Sequence, residues 1–421
     1  MKISRLGPSV CGLIMALSIP SVCADLTLAQ AVQDALNYSA NIRAQQDRYT
    51  AAQQQLPAVD ALPDPQLYSG VANVPVASMG GVQAWSTAQN AMSARVIGIN
   101  QEFPNSGKRQ AARASALAGV QIAVQEVAKL QSELAISTAE AWIDLRAAEY
   151  KQRILKEQIK DSQLLTNLIK QQLAAGQGSA VDVLQSQLEL LELENALNQN
   201  QGQMASAVAQ LRRFVGDDAT MHLSGDVPAW PLSYQEVQQH LKHHPDLLLA
   251  HANVVEEEAK VAAAVAEQHP DWGLGLSYQH SGPSFADMVS LTVSMSLPIF
   301  PSHRQGPKLS AERSRLRAAQ DELIDIQRQH AAQLQSDWTS LQALTAQIDR
   351  LHDQELPLAQ QKIDLLVGNY RAGKSEINTL LVARSERRQL LLRLIDQQAQ
   401  RDRLAARLHY QYQYSVREMT P

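Results

Sequence analysis

Apolar residues recur with two different periods along this chain. In residues 288–298, MVSLTVSMSLP, every second residue is apolar and mostly hydroxyl side chains stand between them, which predicts a strand with one apolar face and one polar face. In residues 106–175 and 304–372, apolar residues recur three and four positions apart, which predicts two very long helices with coiled-coil seams. A helix of about 70 residues is roughly 105 Å long, more than a compact domain needs.

The same order of elements occurs twice along the chain. Each half begins with a shorter helix and continues with two strands, a very long helix and a second helix. The predicted helices are 26–56, 106–175 and 180–214 in the first half, and 234–268, 304–372 and 376–414 in the second. Similar segments occupy equivalent places, such as LAAGQGSAVDVL at 173–184 and YRAGKSEINTLL at 370–381. We therefore divide the chain into a first structural repeat (25–215), a turn-rich linker (216–231) and a second repeat (232–421).

Four predicted strands lie between the shorter helices and the long helices. They cover about 65–75, 94–103, 271–280 and 288–297, and each is about as long as a tilted strand that crosses a bilayer. Prolines bracket both hairpins where helix changes to strand and back, because proline lacks an amide donor and biases the residue before it towards extended geometry. These transition prolines are Pro63, Pro104, Pro270 and Pro298.

The alternation in the second hairpin divides its side chains between two faces. The apolar set is predicted to face lipid and comprises Trp272, Leu274, Leu276, Tyr278, Val289, Leu291, Val293, Met295 and Leu297. The hydroxyl set is predicted to face a water-filled lumen and comprises Ser290, Thr292, Ser294 and Ser296. One such hairpin would also suit a soluble core, but four strands in duplicate favour the membrane. Four strands cannot close a barrel, so several chains must pool them, and three chains would supply twelve.

The first 24 residues have the pattern of an export signal. Lys2 and Arg5 precede a short apolar run, and Ala24 ends a small-residue site for cleavage. A lipoprotein signal, with the lipid on Cys23, is the alternative. Cleavage after Ala24 would remove both cysteines, Cys11 and Cys23, and would change the formal net charge from −5 to −7. We therefore expect no disulfide and no thiolate metal site, and nothing in the composition indicates a nucleic-acid partner.

The duplicated helix–hairpin–long-helix order, the two AG turns and the stretch QEFPNSGKR (101–109) resemble the TolC family of outer-membrane efflux proteins. The last stretch is most similar to the branch that serves heavy-metal efflux. The resemblance implies a homotrimer in the outer membrane of a Gram-negative bacterium, with a twelve-stranded β-barrel in the lipid and a helical barrel across the periplasm. It also implies a periplasmic adaptor and an inner-membrane RND pump as partners.

The resemblance also implies a narrow tip at the two AG turns, which contain Gly176 and Gly373. Asp182 matches a position where acidic residues form a ring, and such a ring favours cations. Asn378 stands at the equivalent place in the second repeat. Tyr370 matches a tip tyrosine of relatives, and Lys374 is expected to face the adaptor. The alternative for Asp182 is a simple cap on the start of a helix, where carboxylates are favoured.

Other motifs lack the structural context that their chemistry needs. GNYRAGKS (368–375) fits a phosphate-binding loop by its letters, but the residues before it read as helix rather than strand. Histidines three or four residues apart in HLKHHP share one helix face, where two imidazoles can bind a metal, but the favoured interpretation of these residues, together with His251, is a polar helix surface. We predict no enzyme, no cofactor and no metal site. The predicted function is an outer-membrane exit duct for heavy-metal cations; the alternatives are a duct for drugs or secreted proteins and a soluble periplasmic coiled-coil scaffold.

Overall fold

A computed structural model of the chain describes residues 26–89, 92–176, 178–217, 222–282, 284–372 and 374–413. The expected signal peptide and Gly373 lie outside these residues. The elements are α1 (Leu28–Tyr38), α2 (Ala40–Val59), β1 (Gln66–Ala72), β2 (Ala94–Phe103), α3 (Ser106–Ala174), α4 (Ala180–Val215), α5 (Tyr234–His240), α6 (Pro245–Ala266), β3 (Trp272–His280), β4 (Met288–Met295), α7 (Gln305–Arg350), α8 (Leu356–Arg371) and α9 (Ile377–Leu408).

The shorter helix of each repeat is divided in two, whereas the sequence predicted one continuous helix. In the first repeat, Ser39 has an extended backbone and its hydroxyl accepts a hydrogen bond from Ile42 N at 3.3 Å, so α2 begins there as a new helix. In the second repeat, a 3₁₀ turn over Leu241–His243 separates α5 from α6. Pro245 begins α6 because the first position of a helix tolerates a missing amide, and it holds His244 in extended geometry.

The two long helical segments are not equivalent. The first, α3, runs for 69 residues without a break and is therefore roughly 105 Å long. The second, predicted as one helix over 304–372, consists of α7, a π-helical turn over Leu351–Glu355, and α8. Pro357 is the second residue after this turn. A proline within a helix removes one amide donor, and its ring clashes with the preceding turn. The extra residue of the π turn accommodates the ring, so the helix continues beyond Pro357.

The four strands form one antiparallel sheet in the order β1-β2-β3-β4. The two hairpins are joined edge to edge through β2 and β3, where Phe103 is opposite Trp272 and Ile97 is opposite Tyr278. The sheet therefore has one strand pair at its centre that comes from both repeats. Its two outer strands, β1 and β4, have no further partner in the described chain.

The largest core lies in the helical part, where α1, α3, α4 and α9 meet. Trp142 is fully buried there, and its indole nitrogen donates a hydrogen bond to the carbonyl of Leu26 at 3.0 Å. Leu145 and Leu211 pack in the same cluster. In the described part of the chain, no helix is long and apolar enough to cross a membrane.

Candidate functional site

The pairing of β3 with β4 places side chains of like polarity opposite one another. The apolar pairs are Trp272 with Met295, Leu274 with Val293, Leu276 with Leu291, and Tyr278 with Val289. The alternate pairs are Gly273 with Ser294, Gly275 with Thr292, and Ser277 with Ser290. Since directly opposed residues lie on the same face of a sheet, this hairpin has one apolar face and one face of glycine and hydroxyl groups. We refer to them as the apolar face and the small polar face.

The apolar face continues across the first hairpin. Ile97 and Ile99 lie opposite Tyr278 and Leu276, and Leu67 lies opposite Ile99. These three side chains are all exposed. Their face was not predictable from the sequence, because the alternation in β1 and β2 is interrupted by Ser69 and Gln101 and becomes clear only from the register with β3.

The last predicted positions of β4 lie beyond the strand. The strand ends at Met295, so Ser296 and Leu297 are outside the alternating part. Ser296 is fixed to the start of β3 by two hydrogen bonds, one from Asp271 N to its hydroxyl at 2.8 Å and one from its own amide to the Asp271 carbonyl at 2.9 Å. It therefore holds the end of the hairpin together. Leu297 is 62% exposed and precedes the transition proline Pro298.

Asn105 and Asp271 join the sheet to the long helix α3. The Asn105 side chain caps α3 by accepting a hydrogen bond from Lys108 N at 2.9 Å, and it donates another to the carbonyl of Ala266 at 3.0 Å. The backbone amide of Asn105 donates a hydrogen bond to Asp271 Oδ1 at 2.9 Å, and Lys108 forms an ion pair with the same carboxylate. Asn105 and Asp271 directly follow the transition prolines Pro104 and Pro270. We call this group of Asn105, Lys108 and Asp271 the junction.

The junction gives the NSGK part of QEFPNSGKR a structural role that the sequence analysis did not identify. An asparagine after a proline is a common start for a helix, but the partner carboxylate lies in the other repeat, 166 residues away. Pro63 precedes β1, and its carbonyl accepts a hydrogen bond from Gln101 Nε2 in β2 at 2.7 Å. Each transition proline therefore lies just outside a strand end.

Replacing Asp271 with asparagine should weaken the junction by roughly 1 kcal/mol, since it removes a charged partner of Lys108 that is about one third exposed. Burial raises the pKa of Asp271, but hydrogen bonds from Lys108 and Asn105 outweigh it and hold the pKa below 3.8. The stabilisation is therefore present above pH 3.8 and is lost as the pH falls through the lower folded-state value. Thermal unfolding of the detergent-solubilised protein measures it.

The control for this variant is Asp60→Asn. Asp60 pairs with Arg113 at 3.4 Å, but both side chains are well exposed, so its loss should change the unfolding temperature little. Equal effects of the two substitutions would contradict the special role of the junction.

At the far end of the long helices lies the tip, which we define as the ends of α3 and α8 and the beginnings of α4 and α9. Gly176 follows α3 with a positive φ of 73°, a conformation that favours glycine. Asp182 and Ser179 form a capping box at the start of α4, in which the Asp182 carboxylate accepts a hydrogen bond from Ser179 N at 3.4 Å. Asp182 thus has the capping role that was the alternative in the sequence analysis, and this role leaves its charge in place.

Tyr370 connects the two repeats at the tip. Its hydroxyl donates a hydrogen bond to Gln172 Oε1 at 2.6 Å, which links α8 to α3. Burial and the nearby charge of Asp182 both raise the pKa of Tyr370, so the phenol keeps its proton at neutral pH. Asn378 and Lys374 are exposed at the beginning of α9 and just before it. The structure thus brings Tyr370 close to Asp182 and adds Gln172, which the sequence analysis did not select.

A buried ion pair joins α4 to α9 close to the tip. Arg388 Nη1 is 3.3 Å from Glu189 Oε1, and the two side chains are only 10% and 12% exposed. Nη2 of the same guanidinium group donates a hydrogen bond to Ser385 Oγ at 2.7 Å. Burial raises the pKa of Glu189, and the charge of Arg388 opposes this shift. In the sequence, both residues look like ordinary charged positions on a helix surface.

Comparison with known proteins identifies the family of the chain. The family model described as outer membrane efflux protein matches residues 31–217 and 237–410, which include most of both repeats. The pyoverdine export outer membrane protein OpmQ of Pseudomonas aeruginosa is 26% identical over 288 residues, which are 65% of this chain and 60% of that protein. The match thus spans three fifths of the length of this relative.

Solved structures have the same fold at low sequence identity. A membrane protein from Pseudomonas aeruginosa has a TM-score of 0.80 at 18% identity, with 91% of this chain and 89% of that chain covered. The outer membrane protein VceC from Vibrio cholerae has a TM-score of 0.76 at 21% identity, with coverage of 91% and 95%. CusC has a TM-score of 0.72 at 19% identity, with coverage of 92% of both chains.

These matches confirm the resemblance to outer-membrane efflux proteins, without deciding the heavy-metal branch, and they confirm the predicted fold class, which is mainly α-helical with a four-stranded antiparallel sheet. They also confirm that the protein belongs to a transport class and not to an enzyme class. The chain is a member of the outer membrane efflux protein family, located in the outer membrane and extending into the periplasm.

Proposed function

We propose that the chain is the outer-membrane exit duct of a tripartite efflux system. Three copies would pool their strands into a twelve-stranded barrel, with the apolar face towards lipid and the small polar face towards the lumen. The long helices would form a periplasmic tunnel, and the tip would meet an adaptor that is coupled to an inner-membrane RND pump. The domain division into two repeats and a linker is part of this proposal.

The observation that carries the proposal is the two-faced sheet with two unpaired outer strands. Leu291 and Val289 are 68% and 70% exposed, which is costly in water and favourable in lipid. The outer edges of β1 and β4, however, cannot remain unpaired in lipid, because no water is present to bind their amides and carbonyls. Pairing β4 of one copy with β1 of the next satisfies both requirements.

Membrane extraction tests the duct against a soluble scaffold. The duct should be extracted from outer membranes only with detergent, and it should migrate as a trimer until it is heated. A protein released in the aqueous periplasmic fraction, or a monomer in detergent, would overturn the proposal.

For the cargo, we propose heavy-metal cations. The support is the similarity of residues 101–109 to the metal branch and the negative charge of Asp182 at the tip. The junction weakens the first argument, since it gives most of that stretch a structural task that any cargo would permit. The relative OpmQ, described as a pyoverdine exporter, favours a second candidate, which is an organic chelator or another organic molecule.

A deletion strain separates these cargoes. For metal export, the strain should grow less well on plates with Cu, Ag, Zn, Cd or Co salts, and plasmid-borne protein should restore growth. Unchanged metal tolerance together with lost drug tolerance, or with retention of a secreted chelator, would assign the organic cargo instead.

The tip makes a separate prediction about ion selectivity. Asp182→Asn removes the charge but keeps an oxygen that can cap α4, so the closed duct in a planar bilayer should lose cation preference without unfolding. Asn378→Asp is the matched variant, because it adds a carboxylate at the equivalent place of the second repeat and should increase cation preference. Unchanged reversal potentials in both variants would show that Asp182 and Asn378 do not control ion selectivity at the tip.

A further inference from the structure

Two imidazoles and one carboxylate converge where α6 and α7 lie side by side. His244 precedes α6, Asp246 is in its first turn and His330 is in α7. His330 Nε2 is 3.2 Å from Asp246 Oδ2, and His244 Nδ1 is 4.0 Å from the same oxygen. One potential ligand atom from each residue lies within 4.8 Å of the other two. The three groups therefore surround a common small volume.

We propose that His244, Asp246 and His330 form a binding site for a divalent transition metal ion of the Zn²⁺ or Co²⁺ type. Imidazole nitrogens with one carboxylate suit these ions, whereas Ca²⁺ and Mg²⁺ prefer oxygen ligands throughout. In a tetrahedral zinc site with bonds of about 2.0–2.2 Å, neighbouring ligand atoms are roughly 3.3–3.6 Å apart. The observed separations of 3.2 and 4.0 Å lie on either side of this range, so small side-chain movements complete the geometry.

His244 is held in place from its outer side. It is 5% exposed and its ring packs against Tyr412, with ring centroids 5.4 Å apart. Its Nδ1 accepts a hydrogen bond from Asp246 N at 3.1 Å, which occupies the Nδ1 lone pair, so an ion bound at Nδ1 would replace this helix cap. The Gln411 side-chain amide lies 3.0 Å from His244 Nε2. Such outer contacts orient a metal ligand.

Gln411 and Tyr412 come from a π-helical turn over His409–Gln413, at the end of α9. Turns of this kind are rare and are frequently found at functional sites. The cluster thus collects groups from α6, α7 and the C-terminal end of α9. A bound ion would connect α6 directly to α7, the two helices that flank the second hairpin.

Lys129 competes with an ion for the carboxylate. Its ammonium group is 2.9 Å from Asp246 Oδ1, and it is also 3.9 Å from Glu133 Oε1 one turn further along α3. An ion that binds Asp246 would therefore displace Lys129 to Glu133, which lies close enough to receive it. The side chains of His330 and Asp246 are 14% and 26% exposed, so an ion from solution can reach them.

This site does not depend on the proposed duct function. A duct that exports only organic molecules would still bind an ion here, and a metal duct without the site would still export. Because a folded protein is stabilised by any ligand that the unfolded chain does not bind, the expected consequence is a firmer connection between α6 and α7 in the presence of metal.

Cobalt titration of the purified protein in detergent tests the site. The protein is prepared without a polyhistidine tag, and Co²⁺ is added while the visible absorption of tetrahedral Co²⁺ is recorded. We expect one Co²⁺ per chain, displaced by Zn²⁺. His330→Gln should lower the affinity at least tenfold. Lys129→Met should raise it about tenfold, because it removes a positive charge beside the ion.

A triple variant with His240, His243 and His251 changed to alanine is the control for surface histidines, and it should bind as the original does. A second readout is the thermal midpoint, which Zn²⁺ should raise in the original protein and not in His330→Gln. His244 is left unchanged because it begins α6. Absence of the Co²⁺ band in both the original and Lys129→Met, or an unchanged band in His330→Gln, would overturn the proposal.

Discussion

Leu291→Arg should prevent the protein from assembling in the outer membrane, whereas Thr292→Arg, one residue away, should assemble. Leu291 lies on the apolar face opposite Leu276, and a charged side chain on the lipid face costs about 2–4 kcal/mol per chain at the bilayer midplane. Thr292 lies on the small polar face opposite Gly275, where an arginine would extend into water. The measurement is the amount of heat-modifiable trimer in outer-membrane fractions.

This pair of variants tests the assignment of faces with almost no change in sequence position. Thr292→Arg should also change single-channel conductance, because it adds a positive charge to the proposed lumen. The reverse result, with assembly lost in Thr292→Arg and kept in Leu291→Arg, would exchange the two faces. Normal assembly of both variants would place the hairpin outside the lipid.

Arg388→Ala should destabilise the helical region close to the tip by about 3–5 kcal/mol, because it leaves the buried Glu189 carboxylate without its positive partner. Both side chains are nearly enclosed, so solvent screening offers little compensation. Proteolysis of the purified protein should then begin in α4 and α9 at lower temperature. Arg393→Ala, at an exposed position of the same helix, is the control and should change stability by less than about 0.5 kcal/mol.

The double variant Glu189→Leu with Arg388→Leu distinguishes loss of the ion pair from loss of packing. Replacing both partners with apolar groups of similar size removes the unpaired charge, so it should recover most of the stability lost in Arg388→Ala. If the double variant is as unstable as Arg388→Ala, the effect arises from the shape of the arginine side chain and not from its charge.

The alternating strands and the long helices were predictable because their patterns are local and repeated many times. In β3 and β4, every second residue is apolar, so several positions support the same prediction and one atypical residue would not change it. Prolines also mark the ends of the strands. Ser39 is a different case. One serine among helix-forming residues divides α1 from α2, and its effect depends on an extended backbone that no periodic pattern reports.

The polar contacts were not predictable for a different reason. Asp271 and Lys108, Glu189 and Arg388, and His244 and His330 are each separated by long stretches of chain. On a helix surface, a charged residue that will pair and one that will face water have the same appearance. Only the packing of α3 against the second repeat, of α4 against α9, and of α6 against α7 selects the partners. At the tip, Tyr370 was identified by resemblance, but its partner Gln172 was not.

The order of the strands has a consequence for how a ring of chains closes. Because β1 belongs to the first repeat and β4 to the second, every seam between neighbouring copies would join unlike repeats, which is a heterologous contact that continues until rotation closes it. The β2–β3 seam inside each chain joins unlike repeats in the same way. Covalent duplication therefore makes half of these seams intramolecular, so a ring that would need six encounters between single-hairpin chains needs only three.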